Sequence, residues 1–465
     1  MHITLLGYVC LPLCVLYALH PVRLLQLVLG LGVLDAAGLV TVGNLGLMPA
    51  LVPAALFIAF VALQLLLGAR YDGARSAVRL IWPFLVVAVW GLVGSVLLPD
   101  IFAGRVMVHP QKVPAFLPLE PDGSNRNQDL YLLVNTAVLL FCSLHASRRG
   151  FATNYLVNTF LVTGFAVAAI CWWELASKLA GVPFPDKFFH SNPGYAQLSD
   201  QSLGLVPRIN GPFTEPSAVG DYMAGILGAT LWMMLQGHRA IWLRVLCVIA
   251  LVTILLSTST TGIVVLVVLI AGTPLYAIWR RSSRLLAWVS GAAIAAALAI
   301  GVVFTVGPTL FPNMDRAVQE IVQGTLEKQH SRSYDERTQA DLDSLGTITP
   351  TWGLGVGWGS NRSSSLLPGL LANLGVFGTL GIVAFGWRLA RVTARARRTA
   401  AQLANRRVID AAVGCLGGHL LAAMISGPTI SDPGFFVMLA LLIGTVAHLE
   451  APEPARIRPL VTVAG

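Results

Sequence analysis

NMDRAVQEIVQGTLEKQHSRSYDERTQADLDSLGTITPTWGLGVGWGSNRSSS, residues 313–365, is one long polar stretch in an otherwise apolar chain. Around it, apolar runs long enough to cross about 30 Å of hydrocarbon recur in both directions. Of 465 residues, 55% are hydrophobic and 11% charged, whereas a soluble domain carries about 25% charged residues. The mean hydropathy is +0.73. These proportions are those of an all-α, polytopic integral membrane bundle, read as a single transmembrane domain over residues 1–465. Spans are expected at 3–19, 22–43, 49–69, 80–98, 129–146, 155–179, 216–237, 240–257, 262–279, 285–307, 365–387, 408–427 and 434–449, about 12–13 in all.

The net charge of +9 is concentrated in short connections between those runs. Residues 388–407 hold seven arginines and no acid, and smaller basic clusters occupy 70–79, 147–150, 238–244 and 280–284. Placing residues 388–407 in the cytoplasm puts the other four there by alternation, as the positive-inside rule expects. The charge therefore reports topology, and nucleic acid is not a partner. Three long loops, 99–128, 180–215 and 308–364, then share the periplasmic face of a bacterial inner membrane, and the last is the expected catalytic loop. Apolar residues at Ala317, Val318, Ile321 and Val322 suit a short surface helix within it. The six cysteines fall inside apolar runs, which predicts neither a disulfide framework nor a metal site. The N-terminus lacks a basic n-region and is expected as an uncleaved first span. Few acids lie within spans, which argues against an ion-coupled carrier.

Three clusters carry candidate chemistry. In VPRINGPFTEPSAVGDY (206–222), Arg208 and Glu215 flank a Gly-Pro turn and precede a helix that starts at Pro216. A guanidinium grips phosphate through two parallel charged hydrogen bonds. A surface ion pair is the competing meaning of the same two residues. In SRSYDERTQADLDSL (331–345), Arg332 and Arg337 suit a second anionic contact and Asp335, Glu336 and Asp341 suit bases. A solvated charged helix is the alternative there. Asp341-Leu342-Asp343 matches the metal-chelating DxD pattern of nucleotide-sugar transferases, but nucleotide sugars are cytoplasmic and this loop is assigned to the other face. In GLGVGWGSNRSSS (353–365), alternating glycines allow positive φ or close approach of a ligand. Trp352 and Trp358 suit stacking on sugar rings or interfacial anchoring. Arg362 and Ser365 follow at the start of a Gly-rich span.

Together these clusters resemble the O-antigen polymerase and O-antigen ligase superfamily, through Arg208 with residues 211–217, and Arg337 with Pro350, Gly353, Gly355, Gly357 and the span after them. The ligases usually carry a histidine shortly after the glycine turn. This chain has Arg362 and three serines there, so the resemblance points to an exopolysaccharide-type repeat-unit polymerase. It implies a GT-C-like fold and a metal-independent, inverting glycosyltransferase that needs no cofactor. Its donor would be a glycan on undecaprenyl diphosphate and its acceptor a hydroxyl of another lipid-linked repeat unit. Arg208, Glu215 and Arg337 become catalytic in that scheme, and Arg332, Arg362, Trp352, Trp358 and Ser365 bind substrate. Membrane lipid, a chain-length regulator, a flippase and export proteins are the implied partners. A ligase to another acceptor and a lipid-linked glycan transporter are the rival functions.

Overall fold

The computed structural model describes residues 2–43, 45–111, 115–121, 125–151, 153–194, 202–203, 206–283, 286–287, 290–291, 332–427 and 432–451. They form helices α1 (Leu5–Leu16), α2 (Pro21–Gly32), α3 (Leu51–Leu66), α4 (Ala74–Ile101), α5 (Arg126–Ala146), α6 (Thr153–Ala180) and α7 (Asp186–Phe189). Then follow α8 (Pro216–Leu235), α9 (Ile241–Leu256), α10 (Thr260–Trp279), α11 (Arg332–Gly346), α12 (Leu366–Thr399), α13 (Leu403–Ala423) and α14 (Pro433–Glu450). Strands occur only as small antiparallel pairings in the connections. β1 (His2–Ile3), β2 (Val40–Val42) and β3 (Leu45–Gly46) form one sheet in that order, β4 (Met107–Val108) pairs β5 (Leu117–Pro118), and β6 (Ser202–Leu203) pairs β7 (Val206–Pro207).

Seven helices (α4, α5, α6, α8, α10, α12 and α14) are long and apolar enough to cross a membrane. Helices satisfy their own backbone hydrogen bonds, which is what hydrocarbon demands of a spanning segment. The chain is a multi-pass helical membrane protein. Among the described residues α1, α2, α3 and α9 are apolar but have only 10–17 residues, so seven of the expected 12–13 spans are represented by helices of full spanning length.

The centre of the bundle is α14. Every residue from Pro433 to Ala447 is buried, as expected of a helix that is apolar all round. Two glycine-rich helices, α8 and α13, pack backbone to backbone: Gly228 meets Gly414 and Gly418, and Gly418 meets Ala224 and Gly225. Small residues allow such close approach between membrane helices.

Two expected spans are corrected. The 22–43 run is helical only to Gly32; it then turns at Asp35 and becomes β2, paired with β1 and β3. Hydropathy cannot separate an apolar strand from a helix, whereas the β-branched Val-Thr-Val between glycines favours the strand. The 365–387 span instead runs on as α12 to Thr399, through arginines that are good helix formers. Within α12, Gly375 is non-helical (φ 71°, ψ −175°), which divides it into a short first piece and a long second one. Most of the 285–307 span and the surface helix at Ala317–Val322 lie outside the described residues.

Candidate functional site

The backbone carrying Arg208 is held from below by α6. Glu174, 3% exposed, accepts hydrogen bonds on Oε2 from the N–H groups of Asn210 (2.9 Å) and Gly211 (2.6 Å). Its Oε1 pairs with Lys178 Nζ at 2.7 Å, and Lys178 donates to the Arg208 carbonyl at 2.7 Å. Gly211 takes φ +57° against the side of Cys171, a conformation that favours glycine. This buried carboxylate shapes the turn that presents Arg208. Glu215 follows at the N-cap of α8, with Pro216 at the first helical position and Ser217 Oγ donating to its carboxylate.

Arg337 lies on the exposed side of α11, which is clamped at its far end. Asp341 accepts from Ser364 N (2.7 Å), Ser365 N (3.0 Å) and Ser365 Oγ (2.6 Å) at the start of α12. Asp343 meets His109 Nε2 at 2.9 Å, and Asn361 binds the backbone N–H of His109 and the hydroxyl of Ser344. The first and third long loops are thereby joined. Arg208, Glu215 and Arg337 come within electrostatic reach of one another: burial pulls the Arg208 pKa down, the Glu215 carboxylate raises it, and Arg337, the smallest of the three influences, lowers it. Two like charges converge there, flanked by one carboxylate.

The glycine run supports this clamp. Gly353, Gly355, Gly357 and Gly359 all have positive φ, from +74° to +99°. A Cβ on Gly355 would meet the backbone of Ala372 and Gly375; on Gly357, Gly94 and Ser95; on Gly359, Gln128. Val356 N donates to Ala372 O and Val376 N to Gly353 O, each at 2.8 Å, so the loop fills the break in α12. The glycines bring the loop against α4, α5 and α12, and this packing accounts for them without a ligand.

Beside the arginine pair is a second feature that spacing did not announce. A cavity of about 160 Å³ is bordered by Asp35, Phe213, Asp221, Tyr222, His419 and Asp432, among others. Ala36 N donates to Pro212 O at 3.1 Å, tying the Asp35 turn to the Arg208 loop. His419 Nδ1 lies 3.2 Å from Asp221 Oδ1. Asp432 caps α14 through the N–H groups of Gly434 (2.9 Å) and Phe435 (3.0 Å). Burial, with Asp432 and Glu215 adding their negative charge, pushes the Asp35 carboxyl up to about 6. Burial likewise raises Asp432.

The expected residues thus divide. Arg208, Glu215 and Arg337 converge. Ser365 commits its hydroxyl to Asp341, so both serve the clamp. Trp358 is half-buried and donates to Gln128 O at 3.2 Å, while Trp352 is 74% exposed and packs edge-on to Phe102. Arg362 is exposed, its backbone N–H bound to His109 O. Arg332 opens α11, and its side chain lies outside the described residues. Of the residues missed, Asp35 lies inside the expected second span and Asp221 near the end of another, rare acids of the kind that signal function in membrane proteins, and Asp432 stands just before the expected 434–449 span. Only the fold brings them together. Among the described residues no group of three or more His, Cys, Asp or Glu has metal-holding geometry.

The fold and this site define a multi-pass helical membrane protein with a bipartite polar site at one end. No family model matches the chain, and no curated protein matches it.

Proposed function

We propose that this chain is a polysaccharide polymerase of GT-C-like architecture, working at the periplasmic face of a bacterial inner membrane. It moves a glycan from undecaprenyl diphosphate to a sugar hydroxyl of another lipid-linked repeat unit. One observation carries the reading: Arg208 and Arg337, remote in sequence, lie within electrostatic reach of each other beside the Glu215 carboxylate, and a pair of guanidinium groups suits a multiply charged anion such as a diphosphate. Each is fixed by its own scaffold, Glu174 behind one and Asp341 behind the other.

In the reaction the acceptor oxygen forms a bond to the anomeric carbon on the face opposite the diphosphate. The bond from that carbon to the diphosphate oxygen breaks, and its electron pair leaves with the diphosphate. Arg208 and Arg337 neutralise the charge developing on the leaving group, a contribution that grows toward the transition state. Glu215, at the helix N-terminus beside Arg208, receives the proton of the attacking hydroxyl and later releases it to water. Positioning supplies the rest of the rate, because diphosphate is already a capable leaving group.

The test is Arg208→Ala and Arg337→Ala, made separately and scored for polymer in cells carrying each as the sole copy. Each is expected to lower polymer formation by about 10²–10³-fold at normal expression. Wild-type polymer in both variants removes the assignment. Purified lipid-linked repeat units settle the acceptor: a ladder is polymerase, a single addition to a different acceptor is a ligase.

A further inference from the structure

The three carboxylates of the 160 Å³ cavity stand on three separate elements, so their meeting is a product of the fold. Asp35 sits in the turn after α2, Asp221 on α8 and Asp432 at the start of α14. Two are engaged: Asp221 with His419, and Asp432 with the backbone of Gly434 and Phe435. Asp35 has no hydrogen-bond partner among the described residues and faces two further carboxylates, Asp432 and Glu215. A carboxylate placed so is short of donors, and a hydroxyl-bearing ligand supplies them. His419, only 4% exposed, borders the same cavity with Nδ1 turned to Asp221, while its Nε2 packs against Gly225 of α8.

The other walls include the apolar and aromatic side chains of Met48, Phe213, Tyr222 and Phe435, with Ser426 as one further polar group. Tyr222 engages its hydroxyl with Thr163 Oγ1, so it offers the cavity a ring face. Hydrogen-bond acceptors on one side and aromatic faces on the other match a pyranose, whose hydroxyls radiate from its rim and whose C–H groups line its faces. An anion is excluded by three carboxylates. The volume is of the order of a single sugar ring. The cavity also adjoins the arginine pair, since Glu215 is felt both by Arg208 and by Asp35.

We propose that this cavity is the acceptor-sugar subsite, with Asp35 accepting a hydrogen bond from a hydroxyl of a neutral saccharide ring. It rests on the transferase reading for the word acceptor, and on the cavity's own chemistry for saccharide binding. Arg208 and Arg337 hold the anionic half of the site, and Asp35, with Asp221 and Asp432, holds the neutral half. Glu215 stands between them.

The experiment uses the full chain in lipid nanodiscs and two readouts. Saturation-transfer NMR with a panel of neutral methyl hexosides and reducing disaccharides reports saccharide binding. Native mass spectrometry with undecaprenyl diphosphate reports the other half-site. For Asp35→Asn the saccharide signal is expected to fall at least tenfold with lipid diphosphate binding unchanged, and Asp35→Glu is expected to restore part of it. Arg208→Ala is expected to show the reverse pattern. An Asp35→Asn signal equal to wild type, or no signal from any saccharide on the wild type, overturns the subsite. Loss of lipid diphosphate binding in Asp35→Asn overturns it too, because Asp35 then acts on the whole site. If the wild type binds saccharides through Asp35 but not undecaprenyl diphosphate, the transferase reading fails and the saccharide site stands.

Discussion

Replacing Asp35 by asparagine should make the protein more stable at neutral pH, and the gain should shrink in acid. The carboxyl titrates at about 6 in the folded protein against an ordinary value of 3.8. Its folded pKa is raised, so the folded state holds the proton more tightly than the unfolded chain. The stability this contributes is full below 3.8 and is lost as pH climbs through about 6. At pH 7.5 the ionised carboxylate therefore weakens the fold by about 3 kcal/mol, and at pH 4.5 by about 1 kcal/mol. Asparagine keeps the shape of the neutral acid and removes the titration. For a chain of this length about 3 kcal/mol corresponds to roughly 3–6 °C in Tm. Asp432, Glu215, Asp221 and His419 lie around the group, so the quantity to read is variant minus wild type at each pH. Thermal unfolding in nanodiscs at pH 4.5, 6 and 7.5 provides it. A variant no more stable than wild type at pH 7.5, or a gain that does not change with pH, refutes the reasoning. A gain in stability joined to a loss of function is the signature of a strained site.

Glu174→Gln removes the negative charge beside Lys178 and weakens the grip on the Asn210 and Gly211 amides; a loss of about 2–4 kcal/mol in unfolding free energy is expected, with polymer falling although Arg208 is intact. Retained stability and polymer would show that the turn holds itself. Gly355→Ala places a Cβ against the backbone of Gly375 at φ +85° and is expected to abolish the monodisperse peak in size-exclusion chromatography; a normal peak would mean that the α12 break is soft. Asp341→Asn should lower polymer by about tenfold through the position of Arg337, with Tm within a few degrees of wild type; unchanged polymer at normal expression would detach the clamp from the site.

What the sequence revealed and concealed follows from the range of each interaction. Apolar length is a local property, so α8 was legible almost residue for residue, from Pro216 to Leu235 against an expected 216–237. The turn after α2 was not, because an apolar segment carries the same hydropathy as helix or strand and only pairing with His2–Ile3 decides between them. The glycines at 353, 355, 357 and 359 announced a special backbone, but not that its purpose is to fill a gap in α12. Asp341 suited a base by residue type, and with Asp343 it forms the clamp. Asp35, Asp221 and Asp432 looked like isolated acids, because no spacing rule links residues whose neighbourhood is created by three helices meeting.

The two half-sites also explain why so much of the polar loop is committed to structure. On the proposed reading the two arginines bring like charges together, and so do the carboxylates of the cavity. Neither arrangement would hold if the backbone were free to relax. Glu174 and Lys178 below Arg208, and Asp341 and Asp343 with His109 beyond Arg337, anchor each cationic arm to a helix that the bundle already fixes. The α8–α13 contact does the same for the acidic half, because Gly414 and Gly418 let α13 approach closely enough for His419 to reach Asp221. Enlarging Gly418 to alanine pushes α13 away from α8 and separates that pair. The acidic half-site should then fail while the arginine half-site, carried on α6 and α11, persists: saccharide binding lost, undecaprenyl diphosphate binding kept. Loss of both together would mean that the two halves are one cooperative unit and that their separation into donor and acceptor subsites is wrong.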